Sequence, residues 1–152
     1  MFKWLKSLRG PKQKRIAFID GDQDLSKLLD TYSKHIAGTN TETHFIKAGA
    51  YDCKPRKLNR YPEINTVYLS GFTNGKEITD KYIATFITKA INDGYNHITV
   101  ISSDYDFIDI FKMAVILDDK ASELVFRMVM PMMRGKVATM PRQIANIEII
   151  KG

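Results

Sequence analysis

The sequence predicts an α/β fold, a three-layer sandwich around a mostly parallel central sheet of about five strands. Three observations predict it. Short β-branched apolar runs alternate with longer segments whose apolar residues recur at helical spacing, the order that builds a parallel sheet with right-handed crossovers and helices on both faces. Two of the runs, residues 15–20 and 98–101, end in or just before carboxylates, where open parallel sheets place their ligands. With 152 residues, 44% hydrophobic and 26% charged, the chain can bury a substantial core and is not compositionally disordered.

The elements follow in order. Residues 1–14 form a basic N-terminal segment with Lys3, Lys6, Arg9, Lys12 and Lys14 around Phe2, Trp4, Leu5 and Leu8 and a Gly10-Pro11 break. It reads as an amphipathic turn for a partner or as a terminus whose aromatics pack on the domain, 15–152. The first strand closes at Asp20. Gly21-Asp22-Gln23-Asp24 then leads into a helix with Leu25, Leu28, Leu29, Tyr32 and Ile36 on one face, ending at Gly38 and capped by Asp22 or Asp24. Asp20, Asp22 and Asp24 imitate a calcium loop, but Leu25 and Thr31 stand where its glycine and glutamate are required.

Residues 43–48 make the second strand. The loop after it carries Lys54, Arg56, Lys57 and Arg60 among Tyr51, Tyr61, Pro55 and Pro62. Cations that hold phosphates beside aromatics that stack bases make it a candidate strand-binding surface, with a solvated charged loop as the plain alternative. Residues 66–70 form the third strand, and 71–75 a turn-rich link. A helix follows with Thr79 as its expected N-cap, Asp80 in its first turn, and Tyr82, Ile83, Phe86, Ile87, Ala90 and Ile91 as its apolar face.

The fourth strand, 98–101, runs into Ser102-Ser103-Asp104-Tyr105-Asp106-Phe107 and a helix bearing Ile108, Ile110, Phe111, Ala114 and Val115. Residues 123–130 are the fifth strand, with Arg127 inside it; the tail, through Arg134-Gly135-Lys136 and Pro141-Arg142-Gln143, ends as a short helix or an edge strand. Met128, Met130, Met132, Met133 and Met140 read as core filler.

In such a sheet the ends of the first and fourth strands can be neighbours, so Asp20, Asp80, Asp104 and Asp106 are expected to converge. Four close carboxylates repel one another, and either a proton or a hard cation must relieve them. An oxygen-only set suits Mg2+ or Mn2+; zinc would want His or Cys, and His35, His44, His97 and Cys53 are scattered. The chemistry expected is metal-assisted in-line hydrolysis of a phosphodiester, with Lys76 neutralising developing charge or lying on the surface. A net charge of +6 and a pI near 9.4 favour a polyanionic partner. No apolar run is long enough to span a bilayer, so a cytoplasmic address without a membrane span is expected.

Three blocks carry a family resemblance: Ile16 through Asp22, Lys76 through Asp80, and Val100 through Phe107. In this order they resemble the signature blocks of NYN domains, the PIN-like metal-dependent ribonucleases, over most of residues 15–130. The resemblance implies a PIN-like fold, Asp20, Asp80, Asp104 and Asp106 as metal-site and catalytic acids, and Ser102 supporting the pocket. Three positions depart from the family pattern: Gln23 stands where Asn is common, the Lys76 to Asp80 spacing is one residue longer than Lys-x-x-Asp, and Thr85 and Phe86 stand where many relatives carry another acid. The expected partner is RNA; single-stranded DNA is not separable from it, and a homodimer is open. Two alternatives are a non-catalytic binding module on the same fold and a haloacid-dehalogenase-like phosphatase, whose nucleophile and general acid Asp20-Gly21-Asp22 imitates.

Overall fold

The computed structural model describes residues 13–51, 54–117, 124–131 and 147–151. Its elements are β1 (Arg15–Asp20), α1 (Leu25–His35), β2 (Glu42–Ala48), a 3-10 helix (Arg56–Arg60), β3 (Ile64–Leu69), α2 (Gly75–Asn92), β4 (His97–Ile101), α3 (Asp106–Leu117), β5 (Val125–Met130) and β6 (Ile147–Lys151). Six strands form one sheet in the order β3-β2-β1-β4-β5-β6, every pair parallel. The sheet is thus one strand larger than expected and parallel throughout. Residues 147–151 supply the extra strand, so the tail ends as an edge strand rather than a helix.

Alternation along the strands sorts the core into two layers. Ile16, Phe18, Ile98, Val100, Phe126 and Met128 pack with Ile83, Ile87 and Ala90 of α2 and with Phe107, Ile108 and Phe111 of α3. Ala17, Ile19, Phe45, Ile101 and Val129 face the other way, onto Leu28, Leu29, Tyr32 and Ile36 and onto Leu58 of the 3-10 helix. The apolar faces read from helical spacing are therefore the buried faces. Met128 and Met130 are core residues as expected.

Several boundaries differ from the expectation, most by one residue: β2 begins at Glu42, β3 ends at Leu69, β4 begins at His97, and β5 begins at Val125. β3 begins at Ile64, because Ile64 is buried and pairs with Thr43. More consequentially, α2 begins at Gly75 with Asn74 at the N-cap, so Thr79 is not the cap. Thr79 lies one turn into the helix and is fully buried; its hydroxyl donates to the Gly75 carbonyl at 2.9 Å and accepts the Ala48 N–H at 2.9 Å. Asp80 consequently sits in the second turn, beyond the usual reach of the helix N-terminal dipole.

At the opposite end of the sheet, the Lys14 carbonyl accepts the N–H groups of Asn96 and His97, which ties the chain entering β1 to the start of β4. Among the described residues no helix is long and apolar enough to cross a membrane. Residues 1–12, Cys53, the 123 end of the fifth strand, Met132, Met133, Met140 and the Arg134-Gly135-Lys136 and Pro141-Arg142-Gln143 runs lie outside the described residues.

Candidate functional site

The strand order reverses between β1 and β4: the chain steps outward from β1 to β2 and β3, then returns to the other side of β1 with β4. Such a switch point opens a crevice beyond the carboxyl ends of the two central strands. Asp20 closes β1 there, and Ser102, Ser103 and Asp104 follow β4.

Close backbone packing fixes the surroundings of Asp20. The Gly21 N–H donates to the Ile46 carbonyl at 2.8 Å, and a Cβ on Gly21 would lie 2.6 Å from that oxygen, so the turn leaving β1 passes too near β2 for a side chain. Gly75 plays the same part for α2: a Cβ there would lie 2.3 Å from the Ala48 carbonyl oxygen. With the Thr79 hydroxyl on the Ala48 N–H, this contact seats α2 on the end of β2 and aims Asp80 at the strand ends.

Asp20 is 2% exposed. Its Oδ2 accepts the Ser102 hydroxyl at 2.8 Å and the Gln23 amide at 3.3 Å, and its Oδ1 accepts the Asp22 N–H at 3.3 Å. Burial pushes its carboxyl above the usual range, against the Ser102 hydrogen bond, which pulls it down. Asp80 is pushed further, to about 7, first by burial and then by the charges of Asp20, Asp104 and Asp22, with Lys76 opposing. Two carboxylate oxygens here, Asp80 Oδ1 and Asp22 Oδ2, are buried and have no hydrogen-bond partner. Such groups are uncommon in folded proteins and costly.

The chain matches no family model, no curated protein and no solved structure. The site therefore stands on its own geometry. An open cleft of about 700 Å³ lies beside the buried acids, lined among others by Gln23, Lys27, Lys76, Ser103, Asp104 and Asp106.

The predicted residues divide into three groups. Asp20, Asp80, Asp104 and Ser102 come together at the switch point. Asp104 also serves the fold, since its N–H donates to Ser102 Oγ at 3.0 Å and its Oδ1 accepts the Asp106 N–H at the first residue of α3. Asp106 is exposed on the cleft wall. Lys76 lies on that wall and acts on Asp80, whereas Lys54, Arg56, Lys57 and Arg60 are exposed on the α1 side of the sheet, where Lys57 Nζ donates to Ser26 Oγ at the start of α1.

The acids at the strand ends offer donor chemistry that fits a hard cation, carboxylate oxygens of which two, on Asp22 and Asp80, are buried without partners. Among the described residues, however, no three Asp, Glu, His or Cys side chains stand close enough to hold one metal ion as they are arranged. Expected convergence of all four acids on one cation is not what the side chains adopt.

Three residues outside the expected metal-site set lie at or beside the site: Asp22, which sequence reasoning offered as a cap or as the general acid of the phosphatase alternative, Gln23, noted only as a departure from the family pattern, and Lys27. Asp22 is not the helix cap; that is Asp24, whose carboxylate accepts the Lys27 N–H. Gln23 bridges the two strand ends, and Lys27 brings a further cation to the cleft. A signal for Asp22 and Gln23 is their place in the turn leaving a strand acid. For Lys27, an exposed lysine on an amphipathic helix, there is none.

Proposed function

We propose that this chain is a metal-dependent nuclease that hydrolyses RNA phosphodiesters at the β1–β4 switch point. One observation carries the reading: the carboxyl groups of Asp20, Asp22, Asp80 and Asp104 lie near enough to act on one another's charge beside a cleft that Asp104 lines, and two of their oxygens are buried with no hydrogen-bond partner. A divalent cation would relieve the mutual repulsion of such a grouping. Asp20 Oδ1, Asp80 and Asp104 are the residues that would hold it, with their side chains drawn closer together than they stand without it, and Mg2+ or Mn2+ are the ions that suit their oxygens. The bound ion would supply Lewis-acid stabilisation of charge on the phosphoryl oxygens.

The chain's own residues do the rest. Lys76 and Lys27 offer positive charge to the phosphates along the cleft, and Ser102 holds Asp20 in its orientation. Lys57 beside Ser26 extends the cationic surface around the start of α1 toward Lys54, Arg56 and Arg60. Tyr51, 82% exposed at the head of that loop, offers a face on which a base can stack.

The exposed position of Asp106 favours a second reading, a nucleic-acid-binding module that does not cut. Incubating single-stranded and structured RNA with the protein in Mg2+ or Mn2+, beside a D20N/D80N variant, separates the two. Metal-dependent cleavage that the variant loses by about a thousandfold or more supports the nuclease. Cleavage retained in the variant refutes it, and binding without cleavage in either metal selects the module.

A further inference from the structure

We propose that Gln23 is a positioning residue: it commits one oxygen of Asp20 to the protein and leaves Oδ1 as the oxygen presented to a divalent cation. The inference rests on the nuclease reading and deepens it.

The orientation of the Gln23 amide is fixed by its neighbours. Oε1 accepts the Ser103 N–H at 2.9 Å, which can only donate, so Nε2 takes the other side. There it donates to Ser102 Oγ at 2.9 Å and to Asp20 Oδ2 at 3.3 Å. A flipped amide would set its oxygen against a carboxylate and its N–H against an N–H.

The Ser102 hydroxyl is constrained in turn. It accepts from Gln23 Nε2 and from the Asp104 N–H, which uses both of its acceptor positions, so its single proton goes to Asp20 Oδ2 at 2.8 Å. Asp20 Oδ2 therefore receives two donors. Oδ1 receives one long bond, from the Asp22 N–H at 3.3 Å, and keeps acceptor capacity for a cation.

The same amide spans the switch point. It joins the turn after β1 to the backbone after β4, and Ser102 passes that constraint to the Asp104 N–H. Gln23 thus sets both which oxygen Asp20 presents and where the Asp104 backbone sits relative to it. An asparagine, one methylene shorter, cannot reach Ser103 and Asp20 together unless the turn moves.

The test titrates the wild-type chain and Q23M with Mn2+, reading free Mn2+ by its EPR signal, and measures RNA cleavage by both against Mg2+ concentration. Methionine keeps the bulk of glutamine and deletes its hydrogen bonds. Mn2+ affinity should fall by about tenfold or more, as it does when a partner that orients a metal ligand is removed. Half-maximal cleavage should need correspondingly more Mg2+, while the rate at saturating Mg2+ recovers. That recovery is the readout a merely structural lesion would not give. If Q23M does not fold, Q23N carries the same expectation. Mn2+ affinity within about twofold of wild type in the folded variant overturns the role of Gln23. A wild type that binds no Mn2+ overturns the nuclease reading, and this inference with it.

Discussion

Asp80 shows how far a single side chain can be read from sequence and where the reading stops. Its residue type, its place on a helix after the third strand and its expected repulsion by Asp20 and Asp104 were legible; its burial, the largest cause of its raised pKa, and the added charge of Asp22 were not, because they depend on how α2 seats against distant parts of the chain. A carboxyl whose folded-state pKa is raised from 3.8 to about 7 binds its proton more tightly in the native than in the unfolded protein. Its ionisation therefore opposes folding: the penalty is absent below about pH 4, grows as pH rises, and is complete above about pH 7. The shift corresponds to ~4 kcal/mol, and solvent screening at this partly exposed side chain reduces the expected effect to ~2 kcal/mol. Urea unfolding of the metal-free wild type should accordingly lose stability between about pH 4 and about pH 8. D80N, whose amide stays neutral, should lose less over the same window by that amount. Parallel pH profiles for the two proteins would show that neither burial nor the site charges raise the Asp80 carboxyl.

At the scale of elements, the strands and helical faces were legible because periodicity records burial directly. Ile83, Ile87 and Ala90 are buried on the face their spacing assigns. The start of α2 was not legible. Glycine is a poor helix former, and Thr79 before an acid has the look of a cap, so sequence alone starts the helix one turn late. What overrides propensity is a contact invisible in sequence, the approach of Gly75 to the Ala48 carbonyl. G75A tests this contact. Its Cβ would meet a backbone oxygen at 2.3 Å, so α2 must move off β2, costing about 1–3 kcal/mol and carrying Asp80 away from the strand ends. Denaturant unfolding checks the first effect and Mn2+ titration the second. A variant as stable as wild type would mean that α2 is not seated by this contact. For β6 the choice between helix and strand is open in sequence because five residues cannot settle the period, and only its pairing with β5 decides it.

Across the whole molecule, the parallel sheet was legible from the alternation of elements, and the switch point follows from the order β3-β2-β1-β4-β5-β6. The acidic pocket and the cationic exterior are features of the same basic chain, net charge +6. If RNA follows the surface formed by Lys54, Arg56, Lys57 and Arg60, its affinity should fall steeply with salt. Neutralising all four should flatten the log–log slope by up to about 3 units, roughly 0.7 for each phosphate no longer neutralised. Filter binding at several salt concentrations measures this; an unchanged slope would place the RNA elsewhere.

The unpartnered oxygens of Asp22 and Asp80 have one more implication, for the history of the chain. Random replacement screened only for heat resistance would discard these two carboxylates early, since an amide or a small neutral residue at either position lifts a burden from the native state. Phe18 and Ile83, fully buried in the core, would be retained by the same screen. Keeping both acids therefore takes a selection that heat resistance does not supply, and on the proposed function that selection is metal-dependent chemistry beside the cleft.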